Sequence, residues 1–184
     1  HLLLRQDKVS TMYLDCGPCI IRSWRHDDEA SLPTHANNRK IWINLRDQFP
    51  HPYIRADAER WLKDIIAVTP ETNFAIDVNG EAVGGIALVL QEDVERCSAE
   101  VGYWLSEQYW GRGIMTAALK AITEFGFKHF HLTRLFAIPF AHNDASIKVL
   151  EKAGYICEGR LRRSAIKDGV VLDQFLYAKT DDDQ

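Results

Sequence analysis

The segment from Gln108 to Gly113, with the sequence QYWGRG, has residue types that suit binding of an anion. It lies between a predicted strand and a predicted helix. Glycines at positions 111 and 113 let the backbone approach a ligand closely, and the first turn of a helix carries N–H groups that have no partner within the helix. This arrangement suits a pyrophosphate, although a plain tight turn also explains two glycines before a helix.

The same segment does not match two common phosphate-binding motifs. It lacks the third glycine, and the acidic residue about 20 positions further on, that define the dinucleotide fingerprint. No Gly-Lys-Ser or Gly-Lys-Thr follows it, so it is not a P-loop. Its function therefore has to be judged from the elements and motifs around it.

The hydrophobic pattern predicts seven strands and several helices that would position this loop. The strands are expected at about 19–24, 73–78, 82–91, 98–105, 135–138, 155–166 and 170–179, and the helices at 27–45, 56–68, 113–129 and 143–153. Asn79-Gly80 and Asp168-Gly169 are typical of two-residue hairpin turns. Hairpins combined with βαβ crossovers predict an α+β (mixed α/β) fold, in which helices cover both faces of a mixed, mostly antiparallel sheet.

Composition indicates one globular domain. The chain has 184 residues, of which 46% are hydrophobic, and its formal net charge is −4 with no long basic run. No apolar stretch approaches the roughly 20 residues needed to cross a membrane, and we see no secretory signal. We expect a cytoplasmic protein with no nucleic-acid or membrane partner. Residues 1–13 are expected to be an N-terminal extension or a cloning remnant, 14–180 the single domain and 181–184 an acidic tail.

The four cysteines include the sequence CGPC at residues 16–19, which also occurs in thioredoxin-like redox sites. In those sites the first cysteine opens a helix that lowers its pKa. Here a strand pattern follows and Pro18 fits a turn, so we expect Cys16 and Cys19 to be chemically idle. Cys97 and Cys157 lack partners at zinc-ligand spacing, and no metal is expected.

Several motifs around the glycine loop carry a resemblance to a known family. Gln108, Gly111 and Gly113 match each defined position of Gln/Arg-x-x-Gly-x-Gly/Ala, the acetyl-CoA loop of the GNAT acetyltransferase superfamily. The resemblance extends to EVGYWL at 100–105 and, after the loop, to Asn143-x-x-Ser146 and LEKAGY at 150–155. Together these segments resemble the branch that acetylates the N-terminal alanine of ribosomal proteins.

The resemblance implies a specific mode of binding for acetyl-CoA, which would serve as co-substrate without a metal. The strands at 98–105 and 135–138 would begin paired and then splay apart, with the pantetheine arm bonded to backbone near Trp104 and Leu105. Asn143 would bond the pantetheine and also cap the following helix. The pyrophosphate would sit on the backbone amides of the first helical turn, which are those of Arg112, Gly113, Ile114 and Met115.

Transfer of an acetyl group to an amine requires a base and a means of stabilising the leaving thiolate. Glu100 is the candidate base, because strand alternation places it on one face with Gly102 and Trp104, where the glycine leaves room for a substrate. An ordinary solvated glutamate is the alternative. The tyrosine acid of many GNAT enzymes would fall at Leu150 and is absent, whereas the ribosomal-protein branch has a serine where Ser146 stands. Ser146 is therefore the candidate to hydrogen-bond the departing sulfur or relay a proton, and a first-turn helix serine that bonds only backbone is the alternative.

The identity of the acceptor amine stays open at this point. We expect the acceptor pocket to come from the two early helices and the final hairpin, and a tryptophan at helical spacing is more often a core residue. Candidate wall residues are Asn37, Trp42, Arg46, Tyr53 and Trp61. The leading hypothesis is acetylation of a protein N-terminal α-amine, by a monomer or a homodimer. The alternatives are acetylation of a small amine, such as a polyamine, amino acid or antibiotic, and a non-catalytic sensor that binds acyl-CoA without turnover.

Overall fold

The computed structural model describes residues 11–183 as a central sheet flanked by helices. The strands are β1 (Tyr13–Asp15), β2 (Ile20–Arg22), β3 (Asn73–Val78), β4 (Glu81–Leu90), β5 (Ser98–Leu105), β6 (Arg134–Ala137), β7 (Ile156–Lys167) and β8 (Val170–Thr180). The helices are α1 (Leu32–Ala36), α2 (Arg39–Trp42), α3 (Arg55–Ile66), α4 (Ile114–His129) and α5 (Asp144–Lys152).

All eight strands belong to one sheet, in the order β1-β2-β3-β4-β5-β6-β8-β7. Every neighbouring pair is antiparallel except β5 and β6, which are parallel. The predicted mixed, mostly antiparallel sheet is therefore confirmed, with eight strands where about seven were expected. The additional strand is β1, in which Tyr13 pairs with Arg22. Three residues are too few to produce a recognisable alternation of apolar and polar side chains.

The two hairpin turns lie where the sequence predicts them. Asn79 and Gly80 join β3 to β4, and Asp168 and Gly169 join β7 to β8. All four residues have a positive φ, between 52° and 87°. Two-residue turns of this kind match the twist of the strands they connect.

Helices cover both faces of the sheet, as expected. On one face, α4 and α5 bury Leu119 and Leu150 in a core that includes Ile86 of β4. On the other face, α1 and α3 bury Leu32 and Leu62 in a second core. The helices thereby shield the central strands from water. Burial of apolar side chains of this kind supplies most of the favourable free energy of folding.

The predicted helical segment at 27–45 is broken into three short pieces. A 3₁₀ turn covers His26–Ala30 and is followed by α1 and α2. Asn37 ends α1, and Asn38 begins α2 with its side chain accepting a hydrogen bond from the Lys40 N–H. Asparagine side chains compete for backbone hydrogen bonds, so this pair interrupts the helix rather than forming a turn within it.

The last described residues contact the final strand. Asp183 Oδ2 accepts a hydrogen bond from the Thr180 backbone N–H at 2.8 Å, so part of the predicted acidic tail folds back on β8. Gln184 and the first ten residues of the predicted extension lie outside the described residues. Within residues 11–183, no helix combines the length and apolar character needed to cross a membrane.

A buried ion cluster joins the second strand to its surroundings. Arg22 makes two hydrogen bonds to the Asp28 carboxylate, at 2.8 and 2.9 Å, and one to Asp77 Oδ2 at 2.6 Å. All three side chains are at most 7% exposed. One guanidinium thus neutralises two buried carboxylates and connects β2 with β3 and with the 3₁₀ turn.

Arg22→Met should destabilise the protein by about 3–5 kcal/mol, because it leaves two carboxylates buried without a cation. Arg60→Met is the matched control, since Arg60 forms an exposed pair with Asp57 whose loss should cost less than about 1 kcal/mol. Urea denaturation measures both free energies of unfolding. Equal midpoints for the two variants would show that the buried cluster does not stabilise the fold.

Candidate active site

The site lies where β5 and β6 part. The two strands pair in parallel only over Ser98–Glu100 and Arg134–Phe136. β5 continues to Leu105 and remains paired with β4 along its whole length. The second half of β5 therefore has a hydrogen-bonded neighbour on one side only.

Hydrogen bonds at the two ends of β5 show which residues point towards β4. The Gln91 N–H donates to the Ser98 carbonyl at 3.0 Å, and the Ser106 N–H donates to the Val83 carbonyl at 2.8 Å. The β4–β5 register contains no bulge between these points. Because hydrogen-bonded residues alternate along an antiparallel pair, the even-numbered residues of β5 bond to β4.

The odd-numbered residues of β5 consequently direct their backbone groups into the gap beside β6. These residues are Val101, Tyr103 and Leu105. The Leu105 carbonyl already accepts a hydrogen bond from Trp110 Nε1 at 2.7 Å. The backbone N–H and carbonyl groups of Trp104, which were expected to bond the pantetheine, are directed towards β4 instead.

A cavity of about 830 Å³ occupies this gap and extends to the early helices and the last hairpin. The cavity brings together ten of the eleven predicted site residues. They are Glu100, Trp104, Leu105, Gly111, Arg112, Gly113, Ile114, Met115, Asn143 and Ser146.

The glycine loop and the start of α4 form a cradle suited to a phosphate. Gly111 and Gly113 have φ values of 72° and 75°, and a Cβ at either position would meet nothing within 4 Å. Gly113 is the N-cap of α4, and no side chain caps the helix. The first N–H groups of α4 are thus left to a ligand, and the helix dipole favours a negative one.

The charges around the cavity also suit a polyanion. Six basic and two acidic side chains line it. Lys40, Arg46 and Lys167 form ion pairs, with Glu107, Glu100 and Asp47 respectively. Among the residues that the structure describes, the remaining three basic residues have no acidic partner. These three are Arg112, Lys148 and Lys152, near the start of α4 and on α5.

Gln108 is the predicted residue that does not line the cavity. Its Nε2 lies 3.2 Å from Nδ1 of His35, a buried residue of α1. His35 also contacts Ser106 Oγ at 2.8 Å and Glu81 Oε1 at 2.9 Å. The first residue of the glycine motif therefore anchors the loop to α1. No pattern in the sequence distinguishes His35 as its partner.

At the start of α5, two polar residues have neighbours that bear on their proposed roles. Asn143 caps the helix as predicted, with Oδ1 accepting a hydrogen bond from the Ser146 N–H at 3.3 Å. Ser146 Oγ lies 2.8 Å from the Tyr103 hydroxyl. Burial raises the pKa of Tyr103 to about 12, against a smaller opposing effect of its hydrogen bond to Ser146. Nothing in the sequence distinguishes Tyr103 as a site residue, because a tyrosine in an alternating strand is ordinarily a core residue.

Glu100 faces the cavity from the other side of β5. Its side chain is 22% exposed, and its Oε1 accepts a hydrogen bond from Arg46 Nη2 at 2.7 Å. Gly102, two residues further along, has open space where a side chain would be. The carboxylate is therefore reachable from the cavity and already binds a cationic N–H group.

Of the five residues expected to form the acceptor wall, Arg46 alone lines the cavity. Asn37 instead accepts a hydrogen bond from the Tyr53 backbone N–H at 3.0 Å. Tyr53 lies in the second core, and Trp61 packs edge-on against Trp24 at 4.9 Å between ring centroids. Apart from Arg46, the expected wall residues therefore do not line the cavity, and Tyr53 and Trp61 belong to the second core instead.

Ion pairs and a cation–π contact join α2, and the segment after it, to the last hairpin beside the cavity. The Lys167 Nζ lies 3.8 Å from the centre of the Trp42 ring and 2.9 Å from Asp47 Oδ1. Arg39 pairs with Asp168 at the hairpin tip. The Lys167 side chain is only 1% exposed. Contacts across 120 residues of sequence such as Lys167–Asp47 leave no local signal in the sequence.

The CGPC segment forms the turn between β1 and β2, without the helix that a thioredoxin-like site needs. A hydrogen bond with Cys16, together with burial, raises the pKa of Cys19, and the same hydrogen bond lowers the pKa of Cys16. That both thiols are idle stays a prediction. Within residues 11–183, no three His, Cys, Asp or Glu side chains are grouped so as to hold a metal ion.

The fold and this site together define a class of protein. The family model for the acetyltransferase (GNAT) domain matches residues 19–156. The chain belongs to the GNAT acetyltransferase family.

Curated relatives in the family differ in the acceptors that their names give. The putative ribosomal N-acetyltransferase YdaF of Bacillus subtilis is 31% identical over 100 residues, 54% of each chain. The spermidine N(1)-acetyltransferase of Escherichia coli is 31% identical over 99 residues, 54% of this chain and 53% of that protein. The ribosomal-protein-serine acetyltransferase of Escherichia coli is 32% identical over 111 residues, 60% of this chain and 62% of that protein. The chain spans about half the length of the first of these relatives.

Solved structures share the fold over nearly the whole chain. RimJ of Mycobacterium smegmatis, in complex with CoA-disulfide, has a TM-score of 0.81 at 25% identity, covering 93% of this chain and 87% of that one. RimL, a ribosomal L7/L12 α-N-protein acetyltransferase in complex with coenzyme A, has a TM-score of 0.82 at 20% identity, covering 94% and 100%.

Proposed function

We propose that the protein transfers an acetyl group from acetyl-CoA to a primary amine, and that its acceptor is the N-terminal α-amine of a protein. The observation that carries this proposal is the single cavity at the parting of β5 and β6. It combines an uncapped helix N-terminus and two open glycines at one end with a reachable carboxylate, Glu100, at the other. Such a cavity can hold a phosphate-bearing acyl donor and an amine together.

The residues at the α4 end fit acetyl-CoA. The amides of the turn from Arg112 to Met115 would hold the pyrophosphate, and Arg112, Lys148 and Lys152 would offset its charge. The backbone groups of Val101 and Tyr103 would bond the pantetheine amides as a neighbouring strand does, with Asn143 as a further partner. The bound thioester supplies an activated acetyl group.

Gly113→Val should weaken acetyl-CoA binding at least tenfold, because a branched side chain would enter the space proposed for the pyrophosphate. The substitution also strains a backbone with positive φ, so a control with the same strain is needed. Gly80→Val is that control, since Gly80 has a φ of 87° and open space at the tip of the β3–β4 hairpin. Calorimetric titration with acetyl-CoA measures both affinities. If the affinity for acetyl-CoA changes equally in the two folded variants, the glycine loop is not part of the binding site.

Glu100 is proposed as the base that removes the surplus proton from the acceptor amine. The guanidinium of Arg46 marks the place where a cationic nitrogen can approach Glu100 Oε1, at 2.7 Å. Arg46 is 69% exposed, so it can move aside when an acceptor enters. An α-amine has a pKa near 8, which makes deprotonation easier than for a lysine with a pKa near 10.4.

Glu100→Gln should preserve acetyl-CoA binding and lower turnover about 10²–10⁴-fold, as removal of a general base typically does. The loss should affect kcat and kcat/KM together. It should shrink as the pH rises towards the pKa of the amine, because water then deprotonates the acceptor. A pH–rate profile from pH 6 to about 9 with an alanine-starting peptide tests this expectation.

Glu107→Gln is the matched control for this experiment. Glu107 directly precedes Gln108, the first residue of the glycine loop, and forms an exposed ion pair with Lys40. It is not among the residues that line the cavity. Its rate should stay within about threefold of wild type. A Glu100→Gln enzyme with the wild-type profile would eliminate Glu100 as the base.

The charges at the acceptor end support an acceptor with a single amine. Two acidic side chains line the cavity, and each is already paired: Glu100 with Arg46 and Asp47 with Lys167. These four charges sum to zero. A polyamine, whose additional cations require additional carboxylates, would find none among the lining residues. A peptide N-terminus brings one amine, followed by backbone groups that seek hydrogen bonds.

A panel of acceptors tests this assignment by measuring the release of CoA thiol. We expect the highest kcat/KM with Ala-, Ser- or Met-starting peptides, and lower values with spermidine and aminoglycosides. A preference for spermidine would contradict the proposed acceptor and leave acetyl transfer intact. Binding of acetyl-CoA without turnover on any amine would indicate a sensor.

A further inference from the structure

The departing sulfur of acetyl-CoA needs a hydrogen-bond donor that the family's usual position does not supply here. Leu150 occupies the position where many GNAT enzymes carry a tyrosine acid, and it is completely buried in the core. Ser146, one turn earlier on α5, does line the cavity. A serine hydroxyl on its own rotates freely and points its proton in no fixed direction.

The neighbour of Ser146 removes that freedom. The Tyr103 hydroxyl lies 2.8 Å from Ser146 Oγ and 3.4 Å from the Ser146 carbonyl oxygen. Tyr103 itself belongs to β5 and also lines the cavity. The phenol is the more acidic of the two hydroxyls, so it is the preferred donor, and the Ser146 proton is then left to point into the cavity.

We propose that Tyr103 is a positioning residue, which orients the Ser146 hydroxyl as the hydrogen-bond donor to the leaving sulfur. This inference rests on the proposed function, because it assumes that a CoA thioester occupies the cavity. Tyr103 reaches the sulfur end of the cavity from β5, whereas the tyrosine that is missing at position 150 would have reached it from α5. The N-terminal end of α5, with its positive dipole, lies at the same point and favours a negative sulfur.

The step conserves atoms and charge without a further reagent. The amine nitrogen forms a bond to the acyl carbon, the carbon–sulfur bond breaks, and its electron pair stays on sulfur. Ser146 donates a hydrogen bond to that thiolate, and Tyr103 donates one to Ser146 Oγ. Neither hydroxyl loses its proton. The ammonium proton of the acceptor goes to Glu100 before the attack and is passed on to water. The second proton, which the nitrogen loses as the amide forms, then goes to Glu100, and the released thiolate takes its proton from water.

The protonation state of Tyr103 agrees with this role. Burial raises its pKa to about 12, so the phenol keeps its proton throughout the range in which the enzyme would be assayed. The contribution of Tyr103 should therefore be constant from pH 6 to about 9, whereas the need for a base falls as the amine itself loses its proton. A flat pH dependence of the Tyr103→Phe defect, beside a sloping one for Glu100→Gln, separates the two roles.

The kinetic test is a double-mutant cycle with Tyr103→Phe, Ser146→Ala and the double variant. We expect each single variant to lower kcat about tenfold, typical of a lost hydrogen bond to a charged group, with little change in KM. Because Tyr103 acts through Ser146, Tyr103→Phe should cost nothing further in the Ser146→Ala background. Independent, additive losses would overturn the proposal.

Tyr155→Phe is a closely matched control. The Tyr155 hydroxyl lies 2.7 Å from Thr123 Oγ1 in a more deeply buried pair outside the cavity lining. Its removal should lower stability at least as much as Tyr103→Phe does and leave kcat unchanged. A similar loss of kcat in both variants would show that the Tyr103 effect is merely structural.

A binding measurement tests the same proposal without turnover. If Tyr103 and Ser146 stabilise the thiolate, CoA should bind more tightly as the pH rises towards the ordinary thiol pKa near 8.5, whereas desulfo-CoA should not. Both ligands carry the same phosphates, so comparing their affinities by calorimetry cancels the effect of phosphate ionisation. We expect the preference for CoA over desulfo-CoA to grow about tenfold from pH 7 to about 9 in wild type, and to stay flat in Tyr103→Phe.

The two measurements also distinguish this proposal from the proposed function. A protein that shows the pH-dependent preference for CoA but acetylates no amine would support the role of Tyr103 and contradict acetyl transfer. Active wild-type enzyme with a preference that is identical in Tyr103→Phe would overturn the role of Tyr103 and leave acetyl transfer standing.

Discussion

The hydrogen bonding of β5 is the constraint on which the rest of the site depends. This strand is paired with β4 along its whole length but with β6 over three residues only. An unpaired stretch inside a sheet leaves backbone donors and acceptors without partners, which is costly unless water or a ligand satisfies them. The fold therefore maintains, at its centre, a strand edge whose shape and polarity suit an extended amide-containing molecule.

The surrounding elements keep that edge open. The indole of Trp110 satisfies the Leu105 carbonyl, so the chain leaves β5 in a defined direction and enters the glycine loop. His35 contacts Gln108 and Ser106 on the opposite flank of the loop, which connects it to α1. The loop is thus held by side chains at its first residues. Its glycines remain free to present backbone amides at the start of α4.

Local signals explain which parts of this structure could be predicted from the sequence. Hairpin dipeptides, the alternation in β5, the periodicity of α4 and the Asn143 cap all act within a few residues, and each lies where the sequence places it. The three-residue β1 and the broken segment before residue 45 have no pattern long enough to recognise. Tyr103 and Lys167 gain their distinctive surroundings from residues 43 and 120 or more positions away. No spacing rule reports such contacts.

The two ends of the cavity also differ in whether their residues are close together or far apart in the sequence. Residues that face the proposed acetyl-CoA come from two nearly continuous stretches, 98–115 and 143–152, in which one change of strand or loop would disturb several contacts at once. The acceptor end is assembled from α2, the segment after it and the tip of the last hairpin, which Lys167 and Arg39 hold together by ion pairs and ring contacts. Such contacts can be exchanged singly without moving the sheet. The acceptors that the relatives' names give range from a ribosomal protein to spermidine. Under the proposed function, selection of the acceptor would therefore fall to the contacts between α2 and the last hairpin rather than to the glycine loop.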